Sequence, residues 1–187
     1  TMKRNTKENV EMKSNTKEVK KYKMVKENTM FRIIALRDFG TVKKGDKGGL
    51  VYHNFNLSHD GECWIGYNAK VMDQAMVFGN AIVEGYAIIR DNAQVRDDAL
   101  VEGEAIIRGN AIVRGNAVVR GNALVEDNAV VRGHADVYDN AKVRNDAVVR
   151  GFTKVYEYAD ICEKAFIYDN AKVRGESCIS GNARIHG

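Results

Sequence analysis

GNAIVR at 109–114, GNAVVR at 115–120, GNALVE at 121–126 and DNAVVR at 127–132 are four consecutive copies of one six-residue unit. The unit runs from Cys63 to Gly187 without insertion, twenty-one times in all. One register holds Ala from Ala69 to Ala183, with only Thr153 and Ser177 departing, and Cys63 extends it one step earlier. Two residues on, a second register holds only Val or Ile, from Ile65 to Ile185. Two further, a third is mostly Gly, Asp or Asn. An internal repeat of this fidelity decides the fold before any local propensity is consulted.

Within a unit, Ala111 and Val113 are two apart, so in an extended chain they point to one side while Ile112 and Arg114 point to the other. Gly-Asn then makes a corner: Gly accepts positive φ freely, and Asn tolerates it better than most side chains. A short strand and a corner every six residues close a triangle after three units. Parallel strands stacked coil on coil about 4.8 Å apart give a prism of about seven coils, roughly 34 Å long. Each coil buries its apolar side against its neighbours. The expected fold is all-β, a single-stranded parallel β-helix. Longer, irregular β-helix coils and nine-residue calcium-binding rolls do not fit this period.

The rest of the chain divides by composition. Lys and Arg total 29 against 25 acids, but residues 1–50 hold 14 basic and 6 acidic side chains, whereas 51–187 hold 15 and 19. Residues 1–28 are rich in Lys, Glu, Asn and Thr, with NTKE at both 5–8 and 15–18, and read as a solvated, disordered or frayed tail. Its acids argue against a nucleic-acid arm. Residues 29–62 read as a cap over the N-terminal end of the prism. Phe31–Leu36 forms one strand there, Gly45–Gly49 a turn and Leu50–Tyr52 a second strand. Residues 63–187 are the β-helix. No segment has the length of a membrane span, and no signal-peptide pattern opens the chain. Arg184-Ile185-His186-Gly187 ends mid-pattern, so an unpaired strand edge is expected there, with Arg184 and His186 discouraging end-to-end stacking.

The units resemble the hexapeptide repeats of left-handed β-helix proteins, whose best-known members are trimeric acyltransferases. One departure is clear: those repeats place Gly or an acid directly after the aliphatic position, whereas here Arg, Tyr or Glu stands there and Gly comes one later. The runs RIIALRDFGTVKKGDKGGLV at 32–51 and NLSHDGECWI at 56–65 are similar to the N-terminal element of YdcK-like hexapeptide-repeat proteins of bacteria and phages. That resemblance covers about residues 31–187. It implies a left-handed β-helix in a homotrimer, and says little about activity.

Residues eighteen apart share a face. One face carries Met76, Gln94, Ile112, Val130, Val148 and Phe166, beside Phe78, Arg96, Arg114, Arg132, Arg150, Tyr168 and His186. A second carries Ile88, Ile106 and Leu124 beside Arg90, Arg108, Glu126 and Arg144. The third carries Ile82, Leu100 and Val118 beside Glu84, Glu102, Arg120, Tyr138, Tyr156 and Arg174. Outward aliphatics between 76 and 130 are too many for a free surface and point to self-association. Arg96, Arg114, Arg132 and Arg150 form a column that repels itself unless something negative lies among them. Carboxylates of neighbouring subunits are one candidate for that role. An anionic, nucleotide-like ligand held by guanidinium forks is the other, with Tyr138, Tyr156 and Tyr168 available to stack on a base.

Other chemistry is weaker. His134 fills a corner slot that Asn holds elsewhere, and reads first as a corner residue and second as part of a site. His53 and His59 lie in the cap, and His186 is next to last. Acyltransferases of this fold use a histidine from an inserted loop as general base, and no loop interrupts residues 63–187. Cys63 is inward, while Cys162 and Cys178 face outward in adjacent coils, offset by about 8 Å and too far for a relaxed disulfide. With no CxxC pair, neither a metal nor a cofactor is expected, and a reduced cytoplasm fits (the host's, for a phage protein). Asp97-Asp98 reads as turn chemistry, and Asn92, Asn110 and Asn128 as an amide ladder. Three readings stay open: a non-enzymatic binder of an anionic ligand that sequesters an immune signalling nucleotide, an acyl-CoA-dependent acyltransferase, and a purely structural module.

Overall fold

A computed structural model describes residues 20–187, so the repeats of NTKE lie outside the described residues. The repeat region is a β-solenoid whose strands are two or three residues long and stack into three parallel sheets. Leu100 lies between Ile82 and Val118, and Ile106 between Ile88 and Leu124, so each strand pairs with those eighteen residues away. With the strand contributed by the cap, about eight turns are stacked.

The alternation read from the sequence sets the burial. Every Ala from Ala69 to Ala171, and every Val or Ile of the inward register from Ile65 to Val173, is buried, mostly to 0 % exposure. Two narrow registers therefore fill the whole interior. Thr153 keeps its inward place because its hydroxyl donates to the Arg150 carbonyl, so the one buried polar group of the repeat core is satisfied.

Corners are more specific than expected. The first corner residue alone is left-handed, with φ between 53 and 80° at every such position from Asp73 to Gly181. At these coil corners Asn takes that conformation at Asn145 alone, where it stands first. In the second place Asn uses its side chain instead. Asn92 donates to Asn110 (3.1 Å), Asn110 to Asn128 (3.0 Å) and Asn128 to Asp146 (3.0 Å), which is the expected ladder. Asp98 accepts from Asn80 at 3.0 Å in the same way.

The cap begins earlier than composition suggested. Strand β1 (Tyr22–Glu27) lies antiparallel to β2 (Met30–Ala35), and β2 pairs antiparallel with β3 (Lys47–Val51). So the stretch read as the end of a solvated tail is ordered from Lys21 onward. The physical reason is burial at its first two residues. Tyr22 is 1 % exposed, and its hydroxyl donates to the carbonyls of Leu57 (2.6 Å) and Asn54 (2.8 Å). Lys21 is wholly buried, and its Nζ donates to the Cys63 carbonyl at 2.9 Å and to Cys63 Sγ at 3.2 Å. Strand β3 then stacks parallel on Lys70–Val71, so the cap becomes the first layer of one prism face.

This cluster sets a pH dependence. Burial pushes the Tyr22 phenol well above its usual pKa and the Cys63 thiol up as well, while it pushes the Lys21 ammonium down. The unfolded chain releases the Tyr22 and Cys63 protons first, so their stabilisation is full below the ordinary pKa values and is lost as pH rises through the folded ones. Lys21 acts in the opposite sense, because the unfolded chain keeps its proton longer. The large shift is that of Tyr22, so its sense prevails and stability should fall above about pH 10. Tyr22→Phe should cost about 1–2 kcal/mol at neutral pH and flatten that alkaline limb. Urea midpoints at neutral and alkaline pH measure both effects; an unchanged alkaline slope would contradict the assignment.

Candidate functional site

Three prism faces carry arginine, and they differ in what the arginines meet. On the second face, Arg108 Nε donates to Glu126 at 2.6 Å, and Arg144 holds Asp160 at 2.8 Å. On the third, Arg120 holds Asp136 at 2.9 Å and lies 4.4 Å over the Tyr138 ring. Hydrogen bonding to these aspartates holds the Arg120 and Arg144 guanidiniums even more firmly protonated than usual. These are exposed or half-exposed pairs, and each contributes little to stability. Their effect is local neutralisation: the second and third faces supply each of these three arginines with a carboxylate of the same chain.

The remaining face does not. Its strands run Met76–Val77, Gln94–Val95, Ile112–Val113, Val130–Val131, Val148–Val149, Phe166–Tyr168 and Arg184–His186. Among the described residues, Arg114, Arg132 and Arg150 form no ion pair. Together with Gly115, Gly133 and Gly151 they line an open groove of about 360 Å³, with Asp97 at one end and Asp169 at the other. Adjacent guanidiniums spring from strands that are hydrogen-bonded neighbours, about 4.8 Å apart.

Arg96 shares the register of these three but does not line the groove. Its guanidinium approaches Asp97 at 4.0 Å and lies 5.9 Å from the Phe78 ring centroid, and its buried Nε has no hydrogen-bond partner. Tyr168 continues the arginine column, with Arg150 stacked 5.0 Å from Phe166 and 5.8 Å from Tyr168. Tyr138 and Tyr156 stack on one another at 4.9 Å and 2°, but on the third face, away from the groove. Of the three tyrosines, then, Tyr168 alone meets an arginine of this column within one chain.

His134 does lie beside the groove, in the corner that follows Arg132. Its ring stacks on Phe152 at 4.6 Å and 2°, and Phe152 is 62 % exposed. Residue type alone did not single out Phe152; its place eighteen residues after His134 could have done so. Among the described residues no three His, Cys, Asp or Glu side chains are placed to hold a metal ion. None of their helices is long and apolar enough to cross a membrane. Cys162, outward by register, is nonetheless buried to 5 % exposure, which raises its thiol pKa, while Cys178 in the next coil is exposed.

An independent control on the arginine face comes from its neighbours. Arg108→Gln, Arg120→Gln and Arg144→Gln should each lower stability by less than about 1 kcal/mol and leave anion binding within two-fold of the wild type, by thermal melts and equilibrium dialysis. Comparison with known proteins adds nothing to this geometry: no protein-family model matches the chain, and no curated protein matches it.

Proposed function

We propose that this protein is a non-catalytic β-helix that binds an anionic, nucleotide-type ligand on its arginine face. The observation that carries the reading is the contrast just described. Arg108, Arg120 and Arg144 each hold a carboxylate of their own chain, whereas Arg114, Arg132 and Arg150 share one groove without any. Guanidinium forks suit phosphate oxygens, and three in a row on a rigid scaffold bind without reorganising. The half-buried outward aliphatics of the three faces support a homotrimer, in line with the resemblance to hexapeptide-repeat proteins. If the phage affiliation implied by that resemblance holds, retention of a signalling nucleotide without turnover is the concrete role.

Mass spectrometry of the protein as isolated, denatured to release small molecules, tests the reading. A phosphorylated compound released from the wild type and missing from an Arg132→Gln, Arg150→Gln variant is the expected result. Equal release from both proteins would contradict it.

A further inference from the structure

The corners carry a rule that the arginine groove breaks. At each Asp, Glu or Asn in the first corner place from Asp73 to Glu163, the side-chain oxygen accepts the backbone N–H of the corresponding corner one coil later. Asp91 takes Gly109 N–H at 2.9 Å, Asp97 takes Gly115 at 3.1 Å and Asp127 takes Asn145 at 3.0 Å. Glu157 and Glu163 do the same for Gly175 and Gly181 at 2.7 Å, and Asn145 does it for Glu163 at 3.1 Å. The fold therefore has a recurring slot in which an oxygen, usually anionic, sits on a corner amide.

Glycine has no side chain to fill that slot. Gly115, Gly133 and Gly151 follow one another at a single corner, so among the described residues the N–H groups of Gly133, Gly151 and Asp169 have no acceptor. These are the amides that edge the groove of Arg114, Arg132 and Arg150. A second run of corner glycines, Gly85, Gly103 and Gly121, leaves its amides equally uncapped, but Glu84 and Glu102 flank it and disfavour an anion. Of these two runs of corner glycines among the described residues, the one on the arginine face combines free amides with unpaired positive charge.

We infer that the ligand is an oligophosphate lying along the prism axis, its oxygens occupying the slots that corner carboxylates fill elsewhere. This rests on the reading of the groove as an anion site. Three amides and three guanidiniums repeat at about 4.8 Å, so a linear chain of anionic groups meets both rows, whereas a single phosphate meets one rung. Asp97 and Asp169 close the two ends with like charge and limit the chain to the three rungs between them. A long polyanion such as a nucleic-acid strand would run past both acids. The exposed His134–Phe152 stack at the rim offers a ring face to the base of a nucleoside oligophosphate.

The test fills two of the three slots without changing charge. In Gly115→Asn with Gly133→Asn, each new amide oxygen caps the next corner as Asn145 does. An added Cβ at either position comes no nearer than 3.0 Å to the following corner, so the coil yields by a few tenths of an ångström. The control, Gly115→Ala with Gly133→Ala, carries at least as much backbone strain and no cap. Inorganic triphosphate should bind the Asn pair at least about ten-fold more weakly than the wild type, and the Ala pair within about three-fold of it. Adenosine triphosphate should bind the wild type about ten-fold more tightly than inorganic triphosphate, and Phe152→Ala should remove that difference. Asn and wild-type proteins of equal affinity would overturn the inference and leave the arginine groove standing. So would a wild type that takes sulfate but no oligophosphate. A wild type that takes no anion at all would sink the reading of the groove itself. Equal affinity for the two triphosphates would strike the nucleoside from the proposal.

Discussion

Arg114→Gln, Arg132→Gln and Arg150→Gln combined should lower affinity for inorganic triphosphate by at least about a hundred-fold while leaving the fold as stable as before, or slightly more so. A hydrogen bond to a charged group is worth about 1.5–3 kcal/mol, and three such contacts need not add, so about 3 kcal/mol is a lower bound for the loss. The stability side has the opposite sign. Guanidiniums on adjacent rungs repel by about 1 kcal/mol per pair at the dielectric of water, and glutamine removes that cost. Equilibrium dialysis and thermal melts of the ligand-free proteins report the two quantities separately. A triple variant that melts well below the wild type would mean the column holds the fold together rather than a ligand.

Val137→Asp should unfold the chain, whereas the neighbouring change Asp136→Val should cost less than about 1 kcal/mol. The two residues share one strand, and their side chains point to opposite sides of it. Asp136 is half-buried on the outside, where it meets Arg120 at 2.9 Å. Val137 is fully buried between Val119 and Val155 in a register without a polar group. A carboxylate there has no cation within the core, and an unpaired buried charge costs several kcal/mol even after it takes up a proton. Circular dichroism and urea midpoints give the answer. Comparable losses from the two substitutions would mean that the inside–outside alternation is wrong.

Much of this architecture is legible in the sequence because the constraint is repeated at every unit. Inward Ala and Val or Ile are chosen by volume alone, so one period identifies faces, corners and core together. What escaped the reading depends on single positions outside that period. Tyr22 and Lys21 lie in a stretch whose composition is that of a tail, and only two buried residues, seated against Leu57 and Cys63, turn it into a strand. The left-handed corner residue was readable as glycine or aspartate, but the use of its carboxylate as a cap for the next coil is a three-dimensional relation.

The site was partly legible for the same reason. Residues eighteen apart fall in one column by arithmetic, which places Arg114, Arg132 and Arg150 together without coordinates. Arithmetic does not say which arginines are neutralised. Arg120 reaches Asp136 and Arg144 reaches Asp160 across a separation of sixteen residues, a diagonal contact that strict columns miss. Arg96 leaves the groove for its neighbours Asp97 and Phe78, which register alone does not show. Tyr138 and Tyr156 share chemistry with the groove but not a face.

Titration calorimetry of the wild-type protein with inorganic triphosphate, at low and at high ionic strength, tests the anion groove most directly. Saturable binding, one ligand per chain, that weakens steeply as salt screens the three guanidiniums is the predicted result. Absence of saturable heat at low salt, or binding indifferent to salt, would contradict it.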